Sequence, residues 1–249
     1  MMKKLTYLLV FITVLSCSNE DANDCFQNAG KTIQQEVSVP NFETILVNRD
    51  VELIVKEAPN YSVIIETGKN LMNDVQAIVV GNQLQLTDNN TCNLVRDYGT
   101  TKIYVSAPNI TEIRSSTQFD VSSDGVLNYP TLRLISENFN TTEALTIGDF
   151  RMDINVTNFS LTSNNLSSFY ISGSAVNATI GFYSGIGRFE GRDFSVQKVT
   201  VYHRGNNDMI VNPQLELKGD LYGIGNLISV NTPPIVEVGQ HYRGYLILE

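Results

Sequence analysis

The chain has 249 residues, 42% of them hydrophobic, and its 26 acidic against 17 basic side chains leave a formal charge of -9. A chain this acidic, with no Lys/Arg cluster, repels phosphate backbones, which argues against nucleic acid as a partner. Three cysteines, two histidines and no H-E-x-x-H, C-x-x-C or calcium-loop signature argue equally against a metal centre, and nothing in the sequence calls for a cofactor.

Lys3 and Lys4 precede an apolar run from Leu5 to Leu15, which ends Val14-Leu15-Ser16-Cys17. A basic start, a short apolar stretch and a small residue predict an export signal over residues 1–16, too short to cross a bilayer. The junction resembles the bacterial lipoprotein box. That resemblance implies cleavage before Cys17 and acylation of this cysteine, so that the protein meets the membrane through N-terminal acyl chains. Each buried methylene contributes about 0.8 kcal/mol. Loss of Lys3 and Lys4 with the signal takes the formal charge from -9 to -11, so the protein surface adds no attraction to anionic lipid. Residues 17–30 form an acidic, aperiodic linker. Within it Ser18-Asn19-Glu20-Asp21 is similar to the surface-export signals of Bacteroidetes lipoproteins, which implies outer-membrane attachment with outward display. Once Cys17 carries lipid, Cys25 and Cys92 remain; an even pair in an oxidising compartment predicts one disulfide, the alternative being two free buried thiols.

Residues 31–249 are expected to form a single domain. Short runs alternate apolar and polar residues at the period of half-buried strands, among them Thr44 to Val47, Val51 to Val55, Ser62 to Glu66, Lys102 to Val105, Leu132 to Ile135, Lys198 to Tyr202 and Tyr245 to Leu248. Gly81-Asn82 between Val79-Val80 and Leu84-Gln85-Leu86 predicts a hairpin turn. Asn70 to Val75 has room for one helical turn; elsewhere no apolar stripe keeps a helical period. The class is all-β.

The second half carries an internal period. Asn165-Leu166-Ser167-Ser168-Phe169, Gly185-Ile186-Gly187-Arg188-Phe189, Gly205-Asn206-Asn207-Asp208-Met209 and Gly223-Ile224-Gly225-Asn226-Leu227 share a small-x-small-polar-apolar pattern, about twenty residues apart. Ser115-Ser116-Thr117-Gln118-Phe119 looks like a weaker member. Strand, corner, strand, corner makes one coil of that length, and coils stack at ~4.8 Å. Gly and Asn are expected at the corner for positive φ and because the next coil leaves no room for a Cβ. One coil buries no core alone, so several must stack. About ten would make a rod of roughly 45 Å. The pattern predicts a right-handed β-helix or β-solenoid with Asn165, Gly185, Gly187, Gly205, Gly223 and Gly225 as repeat corners. An antiparallel β-sandwich is the competing architecture.

These repeats, in a chain with a lipoprotein-like N-terminus, resemble the head GIN domain family of autotransporter adhesins, over roughly Phe42 to Val238. Gly223-Ile224-Gly225-Asn226 approaches the eponymous triplet, with an extra glycine between Ile and Asn. The resemblance implies an exported solenoid-like domain and brings no catalytic residues with it. The residues agree. His203 and His241 are the only histidines, no serine lies in G-x-S-x-G, and both histidines read as surface or loop positions. Acids at neighbouring registers, Glu190 with Asp208 or Asp193 and Asp149 with Asp153, lack an aligned basic partner. Tyr183, Tyr202 and Tyr222 recur every nineteen to twenty residues beside the corner, so they are candidates for a binding ladder, or else for the solenoid rim. The expected function is a non-catalytic, lipid-anchored binding or adhesion module for a glycan or protein ligand. A polysaccharide lyase or glycosidase on the same scaffold, or a periplasmic structural partner, is the alternative. Unpaired edges at the coil ends would also permit a homo-oligomer.

Overall fold

The computed structural model describes residues 25, 27–90, 92–94, 97, 99, 101–140 and 144–249. The signal segment, Cys17 and most of the acidic linker lie outside the described residues. The chain builds a β-solenoid whose repeating unit has two sheet faces, joined on one side by a corner and on the other by a bend. Four long strands show the unit plainly: β11 (Phe150–Ser163), β12 (Phe169–Phe182), β13 (Phe189–His203) and β14 (Met209–Leu221). They pair in parallel and in order. Parallel pairing over this length rules out the antiparallel sandwich.

Each long strand crosses both faces. Its first half, Phe150 to Val156 in β11, lies on face A, and its second half, Asn158 to Ser163, on face B. The expected second corner is therefore only a bend, near Thr157, where pairing skips one residue. No glycine marks it. Asparagine side chains bridge successive coils on either side of the bend instead: Asn177 Nδ2 donates to Asn158 Oδ1 at 3.0 Å and Asn155 Nδ2 to Asn128 Oδ1 at 3.2 Å. The last coils continue as β15 (Leu227–Ser229) and β17 (Leu246–Leu248) on face A, with β16 (Ile235–Gln240) on face B.

Toward the N-terminus the coils are β2 with β3 (Thr44–Val47, Val51–Glu57), β6 with β7 (Gln83–Asp88, Thr101–Ala107), and β8 with β9 (Glu112–Ser115, Val121–Leu127). Then β10 (Thr131–Ser136) leads into β11. Their stacking order differs from their chain order. On face B β2 lies between β6 and β8, and on face A β3 lies between β7 and β9, so the first coil is inserted between two later ones. Among the described residues nine parallel rungs result on each face, roughly 40 Å of stack.

Antiparallel strands close this end: β4 (Ser62–Gly68) against β7, β1 (Thr32–Val37) against β4, and β5 (Val75–Val80) against β6. The β5–β6 hairpin turns at Gly81 with φ +65°, and a single 3-10 turn, Met72–Asp74, stands where one helical turn was expected. Cys25 and Cys92 are joined by a disulfide across 67 residues, tying the segment before β1 to the loop between β6 and β7. A cross-link of that span stabilises by about 4 kcal/mol in the chain-entropy model.

The core is a set of axial columns. Phe150, Phe169, Phe189, Met209 and Leu227 occupy one register position, all buried, and Phe150 stacks on Phe169 at 4.8 Å. This column takes the apolar fifth residue of each pentad. In the earlier coil Val121, not Phe119, fills it, so the Ser115–Phe119 match is displaced by two residues.

The corners stack too, for a narrower reason than expected. Of the corner glycines at 185, 187, 205, 223 and 225 only Gly185 has a positive φ, +90°. What glycine supplies elsewhere is space. A Cβ on Gly185 would lie 2.0 Å from the Asn165 carbonyl oxygen, on Gly187 2.2 Å from that of Ser167, on Gly223 2.2 Å from that of Gly205, and on Gly225 2.0 Å from that of Asn207. First and third pentad positions thus sit directly over the same positions of the coil before. Gly205 is looser: its nearest neighbour would be the His203 ring at 3.2 Å. Overpacking costs about 1–3 kcal/mol or more where backbone must yield. Gly225→Ala is therefore expected to lower the urea midpoint markedly and Gly205→Ala only slightly, as measured by equilibrium unfolding; equal effects would contradict this reading of the corner.

Candidate functional site

The corner also explains the polar fourth position. Asp149 Oδ1 accepts from Ser168 N–H at 3.0 Å, Ser168 Oγ from Arg188 N–H at 3.3 Å, Asp208 Oδ1 from Asn226 N–H at 3.0 Å and Asn226 Oδ1 from Tyr245 N–H at 3.1 Å. Each short polar side chain satisfies the backbone donor of its counterpart one coil on, a donor that the bent corner would otherwise leave unpaired. The fourth residue is an axial cap at Ser168, Asp208 and Asn226, while Arg188 pairs instead with Glu190 on its own strand.

His203 ends β13, and a surface position was expected for it. The structure turns it inward, 1% exposed, in register with Phe182 and Leu221 and below Gly205 and Gly225. Its ring meets Phe182 edge to face at 6.1 Å, and among the described residues no group meets either ring nitrogen in good hydrogen-bond geometry, although the Asn207 backbone lies close. Burial depresses its pKa, with the Asn207 backbone and the Asp208 carboxylate pulling the other way. It is a core side chain whose burial favours the neutral imidazole.

Of the acids considered for hydrolysis, Glu190 pairs with Arg188 at 3.0 Å, Asp149 pairs with Arg151 at 3.3 Å and Asp208 caps a corner, whereas Asp153 and Asp193 make no ion pair among the described residues. Among the described residues no three of His, Cys, Asp and Glu converge as metal ligands would.

The tyrosines do come together. Tyr183 stacks on Tyr202 at 4.9 Å, Tyr202 meets Tyr222 at 5.3 Å, and Tyr222 stacks on His241 at 4.4 Å; Phe139 packs edge-on against Tyr183 at 5.6 Å. The ladder stands outside face B, with Tyr183 and Tyr222 each 41% exposed. Two glycines make room for it. A Cβ on Gly181 would meet the Tyr183 ring at 2.8 Å, and one on Gly239 the His241 ring at 2.8 Å, so these rings fold back over the preceding strand residues into line with Tyr202. Asp220 holds the last ring through His241 Nε2 at 2.7 Å. Sequence spacing suggested the three tyrosines; His241 follows Tyr222 by nineteen residues, on the same interval, but as an imidazole reads as a loop residue, and Phe139 and the two glycines were not singled out.

Beside the ladder runs a second outward column, in register on successive strands: Arg133, Ser160, Thr179, Thr200 and Lys218. Between the two columns lies a shallow, open depression of about 370 Å³, lined by Arg133, Ser160, Thr179, Thr200, Tyr183 and Tyr202 among others. Its lining contains no carboxylate.

In-register parallel pairing, axially capped corners and an external side-chain ladder together define a protein of the parallel β-solenoid class. Residues 41–233 match the family described as "Putative auto-transporter adhesin, head GIN domain", and the chain belongs to it. Among solved structures, a "putative adhesin" from Bacteroides fragilis is similar at TM-score 0.78 and 17% identity, covering 88% of this chain and 97% of that one. A "Putative lipid binding protein" from Parabacteroides distasonis (TM-score 0.61, 12% identity) and a "putative adhesin" from Parabacteroides merdae (0.58, 13%) each cover 88% of this chain and 97% of theirs. No curated protein matches the sequence.

The His203 environment has a pH consequence. Unfolded, the imidazole titrates near 6.5; folded, its pKa is lower, so below that pH the unfolded chain binds the additional proton. Its contribution to stability is full above pH 6.5 and falls as the pH drops, by up to ~1.4 kcal/mol per pH unit. His203→Leu, which matches Leu221 in the column, is expected to flatten the loss between pH 7 and pH 5 relative to the native chain in urea titrations; parallel curves would refute the buried neutral state.

Proposed function

We propose that the protein is a lipid-anchored, surface-displayed adhesion module that binds and does not catalyse. The observation that carries this reading is where its side-chain chemistry sits. The interior is filled by stacked apolar columns, Glu190, Asp149 and Asp208 serve as ion-pair partners and cap, and an aromatic ladder stands beside a row of exposed hydroxyls on the outside of face B. A rigid scaffold that repeats one external pattern suits contact with an extended partner. The adhesin names of the family and of two similar structures support the same reading.

Attachment rests on Cys17 and outward display on the acidic residues after it. Acyl chains anchor the protein while the acidic linker holds the solenoid off the bilayer. In the organism that makes it, protease added to intact cells is expected to remove the native protein from the outer face. Cys17→Ser is expected to abolish fatty-acid labelling and release the protein from the membrane fraction. Protease resistance on intact cells, with degradation only after outer-membrane permeabilisation, would instead favour a periplasmic structural partner.

A further inference from the structure

We infer that the depression on face B binds a linear glycan laid along the solenoid axis, gripped by rows of hydroxyls and not by aromatic ring faces. This rests on the adhesion reading above and gives it a ligand class.

The geometry of the ladder sets the mode of contact. Sugar rings usually meet proteins over an aromatic face, but here the faces are spent on each other: Tyr183 against Tyr202 at an interplanar angle of 27° and Tyr222 against His241 at 9°. What reaches solvent is the ring edge. The phenolic oxygens of Tyr183, Tyr202 and Tyr222 have no hydrogen-bond partner within the described residues, nor do the hydroxyls of Ser160, Thr179 and Thr200 in the adjacent column. Two parallel rows of free hydroxyls therefore run along the stack, about one group per ~4.8 Å rung.

That repeat discriminates between polymers. In an extended peptide, residues on one side recur every ~6.7 Å, which falls out of step with the rungs after two or three. All described rungs across this face are already paired, so a peptide could not add a strand there either. One pyranose ring with its linkage in an extended chain is close to one rung long, and each ring offers hydroxyls that both donate and accept. The charge pattern agrees. On a chain of formal charge -9 the depression has no carboxylate in its lining, and Arg133, held loosely by Glu112 at 3.5 Å, stands at one end. A neutral glycan meets no carboxylate in this lining.

Hydroxyl-to-hydroxyl contacts are individually weak, so a single domain is expected to bind in the millimolar range. Many copies on one membrane raise the apparent affinity by 10²-fold or more. The test uses the lipidated chain on neutral phosphatidylcholine liposomes, passed over immobilised cellohexaose, xylohexaose, chitohexaose and polygalacturonate. Retention on at least one surface is expected. It should drop at least tenfold with Thr179→Val/Thr200→Val, which keeps side-chain shape and removes two exposed hydroxyls. Tyr170→Ala on face A should leave it unchanged. No retention on any of the four surfaces, or retention indifferent to the double valine, overturns the inference. Surface exposure by protease shaving, with adhesion to host matrix lost in a deletion strain, would leave the adhesion reading standing even then.

Discussion

One steric contact governs this molecule: the α-carbon of a corner residue resting on the carbonyl of the coil beneath it. At Gly185, Gly187, Gly223 and Gly225 the distance from the place of a Cβ to that carbonyl is near 2 Å, so a side chain cannot be there while the rungs stay at β-sheet spacing. Register follows from this. With the corners in line, Phe150, Phe169, Phe189, Met209 and Leu227 fall into one interior column, and Asp149, Ser168, Asp208 and Asn226 each meet the backbone donor one coil on. Outward positions are then repeated as faithfully as inward ones. The tyrosine ladder is a by-product of the same alignment.

Much of this was legible in the chain because the corner recurs as small residues, glycine above all, at a nearly fixed interval. The pentads at 165, 185, 205 and 223 gave the coil length, the corner side and the apolar column, and the Tyr202 to Tyr222 interval gave the ladder. The first hundred residues carried no such signal. There the coil of Thr44–Glu57 is inserted between Gln83–Ala107 and Glu112–Leu127, and no local rule announces a pairing partner fifty residues away. Strand existence was readable from alternation; strand neighbours were not.

The site shows the same division. Spacing picked out Tyr183, Tyr202 and Tyr222, but orientation came from Gly181 and Gly239, whose missing side chains let neighbouring rings lie down. His203 misled because a histidine beside tyrosine and arginine at a strand end looks solvated; alternation along Val199, Val201 and His203 in fact turns it inward. Thr179 and Thr200 were invisible as a pair until their strands were in register.

In-register parallel stacking is the claim beneath all of these, and cysteine cross-linking tests it most directly. Asn177 and Lys198 are exposed partners on adjacent coils, at a strand separation within the Cα range of a disulfide. Asn177→Cys/Lys198→Cys should close a disulfide under mild oxidation, while Asn177→Cys/Thr200→Cys, offset by two residues, should stay reduced. Closure of the offset pair in preference to the aligned one would contradict the stack.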